Sequence, residues 1–108
     1  MLHRIDRRAS GTVISIGADD QLQIELGENP TTGYRWRVDH AGDVLEQTDS
    51  QYARGGTGVG AGGQRTITFR PVRAGTALLR MQQSRGEDSA GADATDRFEL
   101  TVRVSARE

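Results

Sequence analysis

The chain is predicted to fold as an all-β, immunoglobulin-like antiparallel β-sandwich of about seven strands, without a disulfide. Three observations carry that prediction. Apolar and polar residues alternate with period two in nearly every patterned stretch, as they do in strands with one buried face. No stretch shows a helical stripe of comparable quality, and breaks containing Gly, Asp or Pro separate the alternating runs at short intervals. Cysteine is absent, so the fold must rest on packing rather than on disulfides or a Cys-ligated zinc.

Taken in order, the first predicted strand covers Thr12 to Ile16. The second has Leu22, Ile24 and Leu26 alternating with Gln23 and Glu25. In the third, Tyr34, Trp36 and Val38 alternate with Arg35 and Arg37, which makes Tyr34 and Trp36 core candidates because aromatic rings dominate small cores. Val44 to Tyr52, Arg65 to Phe69 and Thr76 to Gln83 follow with weaker alternation. The last strand has the clearest pattern, with Phe98, Leu100, Val102 and Val104 alternating with Glu99, Thr101 and Arg103. Before Thr12, the residues Arg4, Arg7 and Arg8 resemble the basic start of a secretion signal. The following TVISIGA is interrupted at Gly17 and closed by Asp19 and Asp20, too short for a signal core.

A chain of 108 residues suits one domain spanning 1–108. Its 14 basic and 15 acidic residues leave a net charge of −1, which gives no basis for binding nucleic acid or an anionic membrane. Every basic residue is Arg, which reads as a compositional bias rather than a binding device. No apolar run approaches the ~20 residues of a membrane-spanning helix. The chain as it stands is expected in the cytoplasm, or in the periplasm or outside the cell if a leader has been removed.

If successive strands are antiparallel, alternate connections emerge at the same end of the sandwich. One end then receives Gly17 to Gln21, Asp39 to Asp43 and Arg70 to Gly75. The other receives Gly27 to Gly33, Ala53 to Gln64 and Ser84 to Asp96, the three longer connections. Long loops cost ordering entropy and add little to a core, so three at one pole point to a composite binding surface on a rigid frame.

The first of them contains Asn29-Pro30-Thr31-Thr32-Gly33-Tyr34. Pro30 fixes its own φ and pushes Asn29 toward extended geometry, while Gly33 permits the chain to reverse. Thr31 and Thr32 are stiff at χ1 and lose little entropy on entering another molecule's cleft. Asn29 braces such a turn by bonding its own backbone, and with Pro30 after it cannot be a glycosylation acceptor.

The second contains Gly58, Gly60 and Gly63 in a G-x-G-x-x-G pattern. A dinucleotide site needs a helix after that pattern to receive the pyrophosphate, and here the strand-like RTITF follows. With no Lys in the chain, a phosphate-binding P-loop is excluded as well. A glycine stretch without side chains can instead lie along a partner's surface and offer backbone hydrogen bonds.

Asn29 to Tyr34 followed by Trp36 resembles the signature loop of the chagasin-type inhibitors of papain-like cysteine proteases, and Gly60-Ala61-Gly62-Gly63 matches the G-x-G-G of that family's second binding loop. The resemblance spans Thr12 to Val104. It implies a reversible, non-covalent inhibitor in which three loops plug the substrate cleft of a papain-like cysteine protease. Asn29, Pro30, Thr31, Thr32, Gly33, Tyr34, Gly60, Ala61, Gly62 and Gly63 would make the contact. The family's third loop carries Arg-Pro and an aromatic residue, whereas here Met81 to Asp88 contains neither proline nor aromatic. Arg70-Pro71 lies at the opposite pole by parity and does not replace it. Gln83 and Arg85 are the third-loop contacts expected instead, with weaker or narrower inhibition as the consequence.

No catalytic constellation is expected. His3 and His40 are the two imidazoles, no thiol is present, and no G-x-S-x-G elbow occurs. The acidic residues Glu87, Asp88, Asp93 and Asp96 do not have the spacing of a calcium loop. The expected protein is therefore a monomer without cofactor, metal or enzymatic activity. The competing class is a β-sandwich recognition module that binds a glycan or another protein through the same pole.

Overall fold

The structure, a computed structural model, describes residues 1–28, 34–54, 63–85 and 96–106. Its strands are β1 (Leu2–Asp6), β2 (Thr12–Gly17), β3 (Gln21–Glu28), β4 (Tyr34–His40), β5 (Leu45–Arg54), β6 (Gly63–Pro71), β7 (Gly75–Arg85) and β8 (Asp96–Ser105). They form two four-stranded sheets, one in the order β1-β3-β6-β5 and the other β2-β8-β7-β4. The sandwich predicted from the alternation is thus present, with one strand more at its beginning.

That extra strand pairs with β3 in parallel, Leu2 opposite Gln21 and Asp6 opposite Glu25. It escapes sequence reading because its inward positions are His3 and Ile5, and a histidine in an apolar position hides the period. A short 3₁₀ turn, Arg7–Ala9, carries the chain across to the other sheet, with Asp6 accepting from the Arg8 N–H at its start. There β2 runs parallel to β8. The remaining pairings are antiparallel. Alternation reveals which face is buried but not which strand lies alongside, so the two parallel pairings were not predictable.

Leu22, Ile24 and Leu26 of β3 face Leu79, Met81, Phe98, Leu100 and Val102 of the second sheet, all at most 2% exposed. Ile67 and Phe69 of β6 complete the first sheet's inner layer. Trp36 is 6% exposed, the core anchor that its place in the alternation predicts. Chain irregularities at Gln47/Asp49 and Val38/His40 shift the register of β5 and β4 by one residue.

At the end where β2 turns into β3, the Asp20 carboxylate accepts the Gly17 N–H at 2.8 Å and bonds His3 Nε2 at 2.8 Å. It thereby ties β1 to the β2–β3 turn. The Gly17 N–H first, and His3 second, hold the Asp20 carboxyl well below the usual carboxylate range. A carboxylate with a lowered folded pKa contributes stability above its ordinary titration, and that contribution is lost as pH falls toward the lowered value. Asp20→Asn should therefore melt a few degrees below wild type at neutral pH, with the difference closing as both are scanned toward pH ~2. An undiminished difference at acid pH would remove the charge from the explanation.

Candidate functional site

The strand registers fix where the three longer connections leave the sandwich. Glu28 is opposite Gly63, and Gly63 is opposite Arg54, so β3 ends, β5 ends and β6 begins at one pole of the first sheet. In the second sheet Tyr34 is opposite Arg85, and Gln83 is opposite Asp96. The two sets of ends meet at the same pole, because Trp36 near the start of β4 bonds Gly27 and Glu28 at the end of β3. Segments 29–33, 55–62 and 86–95 therefore all attach here. The opposite pole receives the shorter 18–20, 41–44 and 72–74. Parity placed the loops correctly, although the strands run further than the alternation suggested and leave each connection shorter.

Beneath this pole the inward row of the sandwich changes from apolar to polar. Glu28 continues the inward positions of Leu22, Ile24 and Leu26, and its side chain is fully buried. Its Oε1 accepts the Trp36 backbone N–H at 2.8 Å. Its Oε2 accepts from Arg65 Nε at 3.0 Å and Nη2 at 2.8 Å, a charge-assisted pair that fixes direction as well as distance. Arg65 Nη1 donates to Ser50 Oγ at 3.1 Å, and the guanidinium lies 5.8 Å from the centre of the Tyr52 ring. The Trp36 indole N–H donates to the Gly27 carbonyl at 2.8 Å. Both ends of the first loop are thus pinned to each other through one tryptophan.

Gly63 belongs to the same cluster. A Cβ at this position would collide with the Ala53 carbonyl oxygen and with the Tyr52 hydroxyl and ring. Glycine is needed here so that Tyr52 can cross the root of the second loop. The sequence singled out Gly63 for contact with a partner, and the structure gives it a packing reason as well.

Of the other predicted contact residues, Asn29, Pro30, Thr31, Thr32, Gly33, Gly60, Ala61 and Gly62 lie outside the described residues. Tyr34 is the first residue of β4 and Arg85 the last of β7, opposite each other. Gln83 is half-buried within β7, opposite Trp36 on one side and Asp96 on the other. It stands at the base of the third connection, one turn of pleat below the pole. His3 lies at the far pole with Asp20, and His40 ends β4 exposed.

Glu28 and Arg65 went unnoticed in the sequence, although a signal was available. Extending the Leu22-Ile24-Leu26 period by one step puts a carboxylate at an inward position, and stepping back from Phe69 and Ile67 puts an arginine at another. Two opposite charges at inward positions of antiparallel neighbours are a candidate buried pair. Among the described residues no group of three or more His, Asp or Glu side chains could hold a metal ion, and no helix is long and apolar enough to cross a membrane.

A rigid β-sandwich that gathers the three longer of the connections between β2 and β8 at one pole, over a pinned polar base, is a loop-presenting scaffold. Comparison with known proteins specifies it: the chain belongs to the chagasin family of peptidase inhibitors (family I42), whose model matches residues 15–102. Amoebiasin-2 of Entamoeba histolytica is 28% identical over 87 residues, covering 78% of this chain and 71% of that protein. The crystal structure of the cysteine protease inhibitor EhICP2 from the same organism superposes with a TM-score of 0.85 at 21% identity, over 96% of each chain. The inhibitor PbICP-C, solved in complex with falcipain-2, shares the fold with a TM-score of 0.64 at 15% identity, over 97% of this chain and 90% of that one.

Proposed function

We propose that the chain is a reversible, non-covalent inhibitor of papain-like cysteine proteases that plugs the substrate cleft with the three loops of one pole. The observation that carries this reading is the convergence of six strand ends, three from each sheet, on the pole to which 29–33, 55–62 and 86–95 attach. Membership of the peptidase-inhibitor family supports it. Thr31 and Thr32 enter the cleft against the catalytic Cys and His, and Pro30 and Gly33 hold the tip so that no scissile carbonyl is offered to the thiolate. Gly60 to Gly63 lie along the cleft wall, with Tyr34, Gln83 and Arg85 at the margin.

The inhibitor works by occlusion and has no enzymatic activity of its own. It acts as a monomer, one domain against one protease. Three loops can supply the ~1,600 Å² of a standard protease–inhibitor interface. Titration into papain and cathepsin-like relatives, followed with a fluorogenic peptide substrate, should show reversible inhibition without cleavage of the inhibitor. Absence of inhibition at micromolar concentration would favour a recognition module that uses the same pole for a glycan or another protein.

A further inference from the structure

We infer that Glu28, acting through Arg65, is a positioning residue that fixes the strand ends from which the first and second loops leave, and so couples the two loops. Packing alone gives no reason for a carboxylate at this depth. A buried ion pair is a weak stabiliser, and apolar side chains of similar volume in its place are often no worse. Removing one partner is different, because the other charge is then left buried and uncompensated.

The geometry supplies the reason. The two carboxylate oxygens of Glu28 go to different sheets: Oε1 to the N–H of Trp36 in β4, Oε2 to the guanidinium of Arg65 in β6. Glu28 immediately precedes segment 29–33 and Trp36 stands just after it, while Arg65 is two residues beyond Gly63, where segment 55–62 rejoins the sheet. One side chain therefore holds both ends of the first loop and the exit of the second. Arg65 extends the hold to β5 through Ser50 and the Tyr52 ring, and β5 is the strand that leads into the second loop. An apolar pair could fill this space but could not fix these directions.

The inference rests on the inhibitory reading only for its effect on inhibition, so its test has a separate arm. In the full chain, Glu28→Gln, Arg65→Lys and the double variant Glu28→Gln with Arg65→Met are compared with wild type. Three readouts are taken: melting temperature, backbone amide resonances, and the inhibition constant for papain. The double variant removes both charges together and should melt near wild type. Its amide resonances should shift in both 29–33 and 55–62 while those of β2 and β8 stay in place, and inhibition should weaken at least tenfold. Glu28→Gln should move the amides of 55–62, and Arg65→Lys those of 29–33, since coupling between two sites is reciprocal.

A double variant with unmoved loop amides and wild-type inhibition would overturn the inference. So would a Glu28→Gln effect confined to 29–33. Should the double variant unfold, Arg65→Lys keeps the charge pair and decides by the same amides. Should wild type inhibit no papain-like protease while both loops move together, the positioning role stands and the inhibitory reading falls.

Discussion

Thr31→Arg is expected to weaken inhibition of papain at least about 30-fold, the equivalent of losing a ~2 kcal/mol hot spot, while melting as wild type does. In the proposed binding mode the tip of the first loop is the part that enters the cleft. A long, strongly hydrated side chain there must be desolvated or must displace the loop, and either outcome costs affinity. The effect should be larger here than in a family member with all three motifs intact. No proline or aromatic residue stands between Gln83 and Arg97, so in the proposed binding mode the third loop offers no large anchor and a greater share of the binding falls to Asn29 to Tyr34. A variant that inhibits as wild type does would show that the tip is not the wedge.

Phe98→Ala should destabilise the fold by about 3–5 kcal/mol, a large part of the ~5–15 kcal/mol available to a domain of this size. Phe98 is 0% exposed and lies on β8, an interior strand flanked by β2 and β7, so the cavity left by the ring has no mobile edge to collapse into. Urea titration should show a lower midpoint with an unchanged slope. A loss below ~1 kcal/mol would mean that the core repacks around the gap, contrary to its close packing. Because Phe98 is opposite Met81 on β7, and Met81 is opposite Val38 on β4, the variant also tests how firmly the sandwich holds the strand that follows the first loop.

The readable parts of this molecule were those in which a residue's neighbours in sequence decide its environment. Phe98 to Val104 could be read as a strand because the period continues over four inward residues, all buried in the structure. The common pole of the three longer loops followed from counting reversals, since β3 to β8 do run up and down in turn. β1 was missed because His3 breaks its apolar phase and because its strength lies in its partner: it is held by Gln21 to Glu25 of β3 and by Asp20. The Glu28–Arg65 pair was missed because the two residues are 37 apart in the chain, and each alone looks like a solvated charge at a strand end.

The fold class, the buried face of each main strand and the pole at which the long connections gather are thus legible in the residues alone, because hydrophobic burial acts on a local period that a single strand displays. The motifs of the first two loops likewise pointed to the inhibitor family before any geometry was known. The parallel placement of β1 and β2, the glycine requirement at Gly63 beside Tyr52, and the ion pair at the roots of the loops emerge from the packed chain alone. Each of these depends on which strands lie side by side. A buried charge is tolerable only beside its partner, and the register of two strands distant in the chain is what brings Glu28 and Arg65 within 2.8 Å.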